Sequence, residues 1–385
     1  MKTTQAITFF AIVFSIYGLI NYYIAKRIIS IIPENFKNIS VIILVFLILS
    51  YIIGRILENY WVSYLSDFLI WCGSFWIAVM FYTFLFLIVI DLIRIINHFL
   101  HFLPSFITEN PVKTKNFLAA VISIFVFILI MGGFFTTKII NVRKYNIYIN
   151  KKAGNLKSLN IVMASDLHLG TINGKMFAYK IVDKINKLKP DIILFAGDII
   201  DEDIKPVLKD NVGEALFELK AKYGVYGITG NHEYIGGVNN AVNYLNAHKI
   251  QMLRDNSILI DNAFYLVGRE DRSINRFTEK GRKELNELIK EVDKSLPIIL
   301  MDHQPFHLEE AEQNGIDLQL SGHTHYGQLW PLNYIIKKIY ELPWGYKVKG
   351  NTHYYVSCGA GGWGPPVRIG SLPEIVNIKL HFQEN

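Results

Sequence analysis

The stretch DIILFAGDIID, residues 191–201, is an apolar run that ends in a glycine and an aspartate. Nearly continuous isoleucine, leucine and phenylalanine over residues 191–197 is typical of a strand that is covered on both faces of a sheet. In folds of alternating strands and helices, ligands bind beyond the carboxyl ends of the strands. The stretch therefore predicts a buried strand that delivers Asp198 to the functional edge of a sheet.

The same pattern recurs along residues 141–385. Apolar runs alternate there with amphipathic stretches at helical spacing, which predicts an α/β fold whose sheet faces are covered by helices. The predicted strands lie at residues 160–165, 191–197, 224–229, 296–301 and 317–321, and in YYVSCG and EIVNIKL, with helices near 175–188 and 213–222. This length of chain is enough to bury the core of a single domain.

Polar residues directly follow five of these strands. In chain order they are Asp166, His168, Asp198, Asp201, Asn231, His232, Asp302, His303, His323 and His325. Residues two apart in an extended segment point to the same side, so each closely spaced pair can meet one ligand. One His-x-His pair alone would indicate little, whereas five strand ends at one edge predict a metal site.

The types of candidate ligand restrict the metal. Imidazoles and carboxylates without a neighbouring thiolate disfavour a closed structural zinc site and suit Mn, Fe, Zn or Co. The candidate ligands are too many for one ion. We therefore predict two divalent metal ions, about 3.5–4 Å apart, that share a carboxylate, activate water and hold the oxygens of a phosphoryl group in line.

These residues form an ordered set of motifs. The set reads Asp166-x-His168, Gly197-Asp198-x-x-Asp201, Gly230-Asn231-His232-Glu233, His303 and Gly322-His323-x-His325. It resembles the calcineurin-like metallophosphoesterases, and residues 359–375 resemble the C-terminal part of the membrane-associated or secreted bacterial branch of that family. The resemblance implies a domain of α/β/β/α layers, like a sandwich, that hydrolyses phosphoester or acid-anhydride bonds.

The resemblance also implies roles for the motif residues. One metal ion would be held by Asp166, His168, Asp198 and His325. The second would be held by Asp198, Asn231, His303 and His323, with Asp198 bridging the two ions. His232 would act at the leaving group as a general acid or a stabiliser of the transition state. Glu233 completes the catalytic pair, because it stands where an aspartate that orients this histidine is common.

Two further residues have more than one interpretation. Asp201 is expected to support a ligand or to cap a helix rather than to bind metal. Arg368 is a candidate for binding the substrate phosphate, because a guanidinium offers two parallel N–H donors. A surface salt bridge is the equal alternative for Arg368.

Four apolar runs precede residue 140, at residues 6–25, 39–54, 68–90 and 117–137. About 20 residues cross the hydrocarbon core as a helix, and the long side chain of Arg55 extends the short second run to the interface. We predict a four-helix membrane region over 1–140, a metallophosphoesterase domain over 141–385, and a multi-pass protein of the cell membrane. Lysine and arginine are nearly balanced between the two sides, so the side of the catalytic domain stays open.

Together these features predict a membrane-bound hydrolase that cleaves a phosphodiester or pyrophosphate bond with a metal-activated hydroxide. Its partners would be the lipid bilayer and a phosphorylated, lipid-linked small molecule, for which the resemblance favours UDP-2,3-diacylglucosamine, a precursor of lipid A. Cleavage of phospholipids or glycerophosphodiesters, or a general phosphodiesterase activity, is the alternative. A scaffold without activity is disfavoured because every expected ligand is present. The net charge of +6 is spread along the chain and indicates no nucleic-acid partner.

Overall fold

The computed structural model describes residues 3–278 and 281–383. By the density of contacts within it, the chain forms two compact units. The first contains residues up to 135 together with 364–367, and the second contains residues 136–363 and the segment from 368 onward. The domain boundary that we place at residue 140 stays a prediction.

The first unit consists of apolar helices. They are α1 (Thr3–Ile29), α2 (Glu34–Tyr60), α3 (Tyr64–Leu100), the single turn α4 (Ser105–Thr108) and α5 (Pro111–Thr136). Helices α1, α2, α3 and α5 contain stretches long and apolar enough to cross a membrane, which confirms the four predicted apolar helices. Helix α2 extends beyond the apolar run at 39–54 at both ends. The charged residues Arg55 and Glu58 end the apolar run, but they pair with each other and lie within the helix.

A buried asparagine joins two helices of the first unit. Asn21 of α1 donates its amide to the sulfur of Met80 and accepts the indole N–H of Trp76 at 3.0 Å, both on α3. An amide in an apolar bundle needs such partners, because an unpaired polar group there costs free energy. Helices α2 and α3 also approach closely at Gly73, where a Cβ would lie 2.2 Å from the backbone nitrogen of Tyr51. Only glycine fits at that crossing.

Two six-stranded sheets form the frame of the second unit. The first has the order β1 (Asn141–Ile149), β12 (Glu374–Phe382), β2 (Ser158–Ala164), β3 (Ile192–Ala196), β4 (Val225–Ile228), β5 (Gln251–Met252). The second has the order β10 (Gly345–Lys349), β11 (Thr352–Val356), β9 (Leu318–Ser321), β8 (Ile298–Met301), β7 (Phe264–Gly268), β6 (Asn256–Ile260). Strands β2 to β5 are parallel, and so are β7, β8, β9 and β11. Parallel strands have their carboxyl ends at one edge of each sheet.

The two sheets pack face to face, and helices cover their outer faces. Ile161 and Leu194 of the first sheet share one buried cluster with Leu266 and Met301 of the second. A separate cluster lies between the first sheet and its helices, and another between the second sheet and its helices. This arrangement confirms the α/β/β/α layers that the resemblance implies.

The helices of the second unit are mostly short. They are α6 (Lys175–Lys187), α7 (Lys205–Lys209), α8 (Asn231–Gly236), α9 (Val238–Ala247), α10 (Ile274–Phe277), α11 (Leu285–Leu288), α12 (Leu308–Gln313) and α13 (Asn333–Ile339), with 3₁₀ helices at Val212–Glu218 and His325–Gly327. The helix predicted at 213–222 is thus a shorter 3₁₀ helix. Its Gly213 is a weak helix former, and the N–H of Gly213 donates to Tyr244 Oη at 2.9 Å.

Candidate metal centre

The candidate residues lie just beyond the carboxyl ends of β2, β3, β4, β8 and β9. Asp166 and His168 follow β2, Asp198 and Asp201 follow β3, Asn231 to Glu233 begin α8 after β4, His303 follows β8, and His323 and His325 follow β9. Both sheets therefore contribute to one site, as expected where parallel strands end at a common edge.

The loops that carry the predicted ligands have strained backbones. Five of these residues have positive φ angles: Asp166 at 53°, His168 at 46°, Asp198 at 51°, His323 at 72° and His325 at 46°. This conformation is unfavourable for side chains with a Cβ, and such strain concentrates at functional sites. Backbone hydrogen bonds between the loops hold it in place, among them the N–H of His168 with the carbonyl of Asp198 at 3.1 Å.

The first cluster consists of Asp166, His168 and His325. The Nε2 atoms of the two imidazoles lie 3.0 Å apart, and Nε2 of His325 lies 3.5 Å from Oδ1 of Asp166. Burial, together with the neighbouring His168 and Arg368, holds the pKa of His325 well below its usual range. The ring of His325 is therefore neutral, which is the form that binds a metal ion.

The second cluster consists of Asp198, His303 and His323. Nε2 of His303 lies 3.0 Å from Oδ2 of Asp198, and Nδ1 of His303 lies 2.7 Å from the carbonyl oxygen of Ala196. A carbonyl only accepts hydrogen bonds, so Nδ1–H donates to Ala196 and Nε2 is the nitrogen that faces the cluster. Burial lowers the pKa of His303, but the carboxylate of Asp198 raises it well above its usual range, and a metal ion at Nε2 would take the place of that proton. Nδ1 of His323 lies 2.8 Å from Oδ1 of Asn231. Burial and His303 lower the pKa of His323 to about 3, so its ring is neutral.

The donor atoms of both clusters fit divalent metal ions. Buried polar atoms ordinarily have hydrogen-bond partners, but two imidazole nitrogens of His168 and His325 face each other at 3.0 Å. Within residues 3–278 and 281–383, Nε2 of the buried His303 makes no hydrogen bond of good geometry, although Oδ2 of Asp198 lies 3.0 Å away. Converging imidazole nitrogens and carboxylate oxygens are the ligands that Mn, Fe, Zn or Co require.

Asp198 lies between the two clusters. Its Oδ2 atom is 3.0 Å from Nε2 of His303 and 4.0 Å from Nε2 of His168. Burial raises the pKa of Asp198, but the charges of His303 and His232 outweigh burial and hold that pKa well below its usual range. The shared carboxylate is therefore ionised.

His232 stands next to this carboxylate at the start of α8. Its backbone N–H donates to Oδ1 of Asp198 at 2.8 Å, and its Nδ1 lies 3.2 Å from Oδ1 of Asp201. Burial lowers the pKa of His232, but the carboxylates of Asp198 and Asp201 raise it to about 9. At neutral pH the ring thus carries a proton that it can donate.

Glu233 faces away from His232. Its carboxylate accepts hydrogen bonds from four backbone N–H groups at 2.7–3.2 Å, those of Asp198, Ile199, Ile200 and Gly230. Adjacent residues of a helix point about 100° apart, so the side chains of Glu233 and His232 face different groups. The structure differs here from the expectation that Glu233 orients His232, because Asp201 occupies that position. The helical spacing itself was the signal that could have excluded Glu233.

Arg368 is buried, with 1% of its surface exposed. Its Nη2 donates to the carbonyl oxygens of Cys358 at 2.8 Å and Gly361 at 2.7 Å, and lies 3.2 Å from Nδ1 of His325. The alternative of a surface salt bridge is wrong, because the guanidinium is enclosed by the loops behind the first cluster. Binding of the substrate phosphate by Arg368 stays a prediction.

The amino-acid sequence of the chain is similar to those of known metallophosphoesterases. Residues 159–327 match the family described as calcineurin-like phosphoesterase. The chain is 30% identical over 380 residues to an uncharacterized metallophosphoesterase of Campylobacter jejuni, covering 96% of this chain and 97% of that protein. It is 29% identical over 339 residues to a Danio rerio protein named transmembrane protein with metallophosphoesterase domain, covering 84% of this chain and 74% of that protein.

A third relative is matched over a smaller share of its length. The chain is 33% identical over 245 residues to an uncharacterized metallophosphoesterase of Helicobacter pylori. This match covers 62% of the present chain and 63% of the Helicobacter protein, which is less than two thirds of the relative.

Proposed function

The chain belongs to the calcineurin-like phosphoesterases, and we propose that it uses two divalent metal ions to cleave a phosphodiester or pyrophosphate bond in a lipid-linked substrate. As a member of this family it is a metal-dependent phosphoesterase. Its four apolar helices, together with relatives named as transmembrane proteins, make it a membrane protein.

The position of Asp198 is the observation that supports a two-metal site best. One carboxylate oxygen lies within 4.0 Å of an imidazole nitrogen in each cluster, so Asp198 can serve both ions. In the proposal, the other ligands of one ion are Asp166, His168 and His325, and those of the second are Asn231, His303 and His323. When bound, the ions polarise the phosphoryl oxygens and make a water molecule more acidic.

The remaining site residues position the substrate and move a proton. His232 donates a proton to the leaving oxygen, a role typically worth about 10²–10⁴-fold in rate. Because Nδ1 of His232 faces Asp201, Nε2 is the nitrogen left to reach the substrate. Glu233 holds the backbone of the Asp198 loop through its N–H contacts, and so keeps the shared carboxylate in place.

The membrane helices support a substrate that is itself in the bilayer. A single span already makes membrane insertion effectively irreversible, so four apolar helices are more than an anchor needs. UDP-2,3-diacylglucosamine combines a pyrophosphate bond with two acyl chains, and its cleavage would release UMP. It is therefore the substrate that we propose.

The experiment uses the full-length protein in lipid nanodiscs, stripped of metal and reloaded in turn with Mn, Fe, Zn or Co. The substrates are UDP-2,3-diacylglucosamine, a glycerophospholipid and a soluble aryl phosphodiester, with products identified by mass spectrometry. We expect metal-dependent release of UMP, with a higher kcat/KM than for the soluble diester.

Each other result changes a different part of the proposal. Cleavage of the glycerophospholipid instead of the UDP-linked lipid would reassign the substrate. Cleavage of the soluble diester alone would reject the lipid-linked substrate and leave the phosphoesterase activity. Full activity after exhaustive chelation, with metal removal verified by elemental analysis, would reject the metal centre.

A further inference from the structure

An exposed tryptophan lies beside the proposed proton donor. Trp363 is 48% exposed, and the centroid of its ring lies 5.8 Å from that of His232. Single exposed apolar side chains are common on proteins and need no explanation in themselves. Trp363 differs from such residues in its position at the site and in the rigidity of the backbone that carries it.

The backbone of Trp363 is clamped by Gln328. The side-chain Nε2 of Gln328 donates to the carbonyl of Trp363 at 2.9 Å, and its Oε1 accepts the N–H of Trp363 at 3.0 Å. Two residues earlier, the N–H of Gly361 donates to the carbonyl of Asp166 at 2.9 Å. The loop is thereby tied to a residue of the first cluster. The backbone that carries the indole therefore has a fixed place relative to the metal centre, while the side chain stays about half exposed.

The neighbours of Trp363 in the chain are both glycines. The residue stands in the stretch GAGGWGPP, with a glycine on each side, so neither neighbour has a side chain that could cover the indole. A rigid aromatic surface that stays exposed in the free protein loses little conformational entropy when a partner binds to it. Planar rings, nucleobases among them, stack on such surfaces.

We propose that Trp363 is a stacking subsite for a planar ring of the substrate, the base of a nucleotide whose phosphate lies at the metal centre. The subsite rests on the proposed function, because a phosphoryl group at the two clusters brings its substituents next to His232 and Trp363. A 5′-nucleotide carries phosphate and base on one ribose, which suits the short distance between the two side chains. An acyl chain has no flat face to match the open indole.

The test compares two ligands that differ only in the base. Dissociation constants of UMP and ribose 5-phosphate are measured by calorimetry on the full-length protein in nanodiscs, loaded with Mn²⁺. We expect UMP to bind roughly ten- to a hundredfold more tightly than ribose 5-phosphate. Trp363→Ala should bring the ratio of the two constants close to one, and Trp363→Phe should keep most of it.

The control is a second tryptophan of equal exposure. Trp330 is 49% exposed, and Trp330→Ala should leave the ratio as in the unaltered protein. Because both ligands carry the same phosphate, a general disturbance of the metal centre changes both constants and cancels in the ratio. Trp363→Leu keeps apolar area but no ring, so it should behave like Trp363→Ala.

Three results would overturn the subsite. They are equal binding of UMP and ribose 5-phosphate by the unaltered protein, an unchanged ratio in Trp363→Ala, or a ratio that Trp363→Leu preserves. Metal-dependent hydrolysis of a soluble dialkyl phosphodiester is measured separately for each variant. Intact hydrolysis without a preference for the base rejects the subsite alone, whereas absent hydrolysis in the unaltered protein rejects the proposed function and leaves the binding ratio to decide the subsite.

Discussion

The two clusters of the candidate metal centre contain similar side chains but are supported from behind in opposite ways. In the second cluster, Nδ1 of His303 faces the carbonyl oxygen of Ala196 at 2.7 Å, a group that only accepts hydrogen bonds. In the first cluster, Nδ1 of His325 faces Nη2 of Arg368 at 3.2 Å, a group that only donates.

Because of this difference, two clusters with similar ligands can bind their metal ions with different affinities. A hydrogen bond donated by the far ring nitrogen makes the metal-facing nitrogen more basic, as expected for His303. A cation at the far nitrogen of His325 has the opposite effect on that ring, because it withdraws electron density and favours the tautomer whose proton lies on the metal-facing Nε2. We therefore expect the second cluster to hold its ion more tightly than the first.

Removal of the carboxylate that both clusters share should have the largest effect. We expect Asp198→Ala to lower kcat/KM for a soluble aryl phosphodiester by about 10⁴-fold or more and to release both ions. Kinetics and elemental analysis measure the two losses. Asp183→Ala removes an exposed carboxylate on α6 and should change neither quantity. One tightly held ion in Asp198→Ala would show that the clusters do not depend on a common ligand.

The next largest effect is expected at His232, which we do not assign as a ligand of either cluster. His232→Ala should lower kcat by about 10²–10⁴-fold and leave the metal content unchanged. The loss should shrink for substrates whose leaving group is a stable anion, because such a group needs no proton. An equal loss for all leaving groups would instead make His232 a residue that supports the metal ligands.

His232 can donate a proton only in its charged form, so the rate of the reaction should depend on pH in a defined direction. The pKa of this ring is raised from 6.5 to about 9, so the ring is protonated at lower pH and loses its proton as the pH rises through that value. Bound metal cations oppose protonation and move this step to lower pH. The rate should therefore fall on the alkaline side, and a pH–rate profile of His232→Ala should lack that fall.

Single-ligand variants compare the two clusters directly. His325→Asn leaves the second cluster complete, and His303→Asn leaves the first. The ion that remains in His303→Asn should be held about 10–100-fold more weakly than the one that remains in His325→Asn. Competition with chelators of known affinity measures both constants. Equal dissociation constants would show that the groups behind the two clusters, Ala196 and Arg368, do not change the metal affinity.

The smallest effect is expected from the group behind the first cluster. Arg368→Met should raise the metal affinity of that cluster by up to about tenfold. It should also lower Tm, because the carbonyls of Cys358 and Gly361 lose their donor, at a cost of about 1–3 kcal/mol. Arg368→Lys keeps a cationic donor and is the matched control for the affinity. A higher KM in both variants, with metal affinity unchanged, would support phosphate binding by Arg368.

The features predicted correctly from the sequence are local ones. The length of an apolar run indicates a helix that can cross a membrane, and the four long helices of the first unit match it. Near-continuous apolar runs likewise predicted buried strands such as 191–197, observed as Ile192–Ala196. The helix predicted at 213–222 is a shorter 3₁₀ helix at Val212–Glu218, and the hydrogen bond from Gly213 to Tyr244, a residue of another element, could not be read from that segment.

Which site residues contact each other was much harder to predict from the sequence. His168 meets His325, which is 157 positions later in the chain, and only the resemblance to a family assigned the two to the same ion. Glu233 was expected to orient His232 because it stands where an aspartate with that role is common in the family it resembles, yet neighbours on a helix diverge. Asp201 fills that place because its loop leaves β3 beside the start of α8.

The sequence by itself determined the four apolar helices, the alternation of strands and helices, and the imidazoles and carboxylates that follow the strands. Only the tertiary structure decided that Asp201 faces His232, that Arg368 lies buried behind His325, and that the indole of Trp363 stays exposed beside the site. The physical reason is that helices and strands follow from the burial pattern within one segment. The direction of a side chain in a loop depends instead on a strained backbone held by other loops, and on how two sheets pack together.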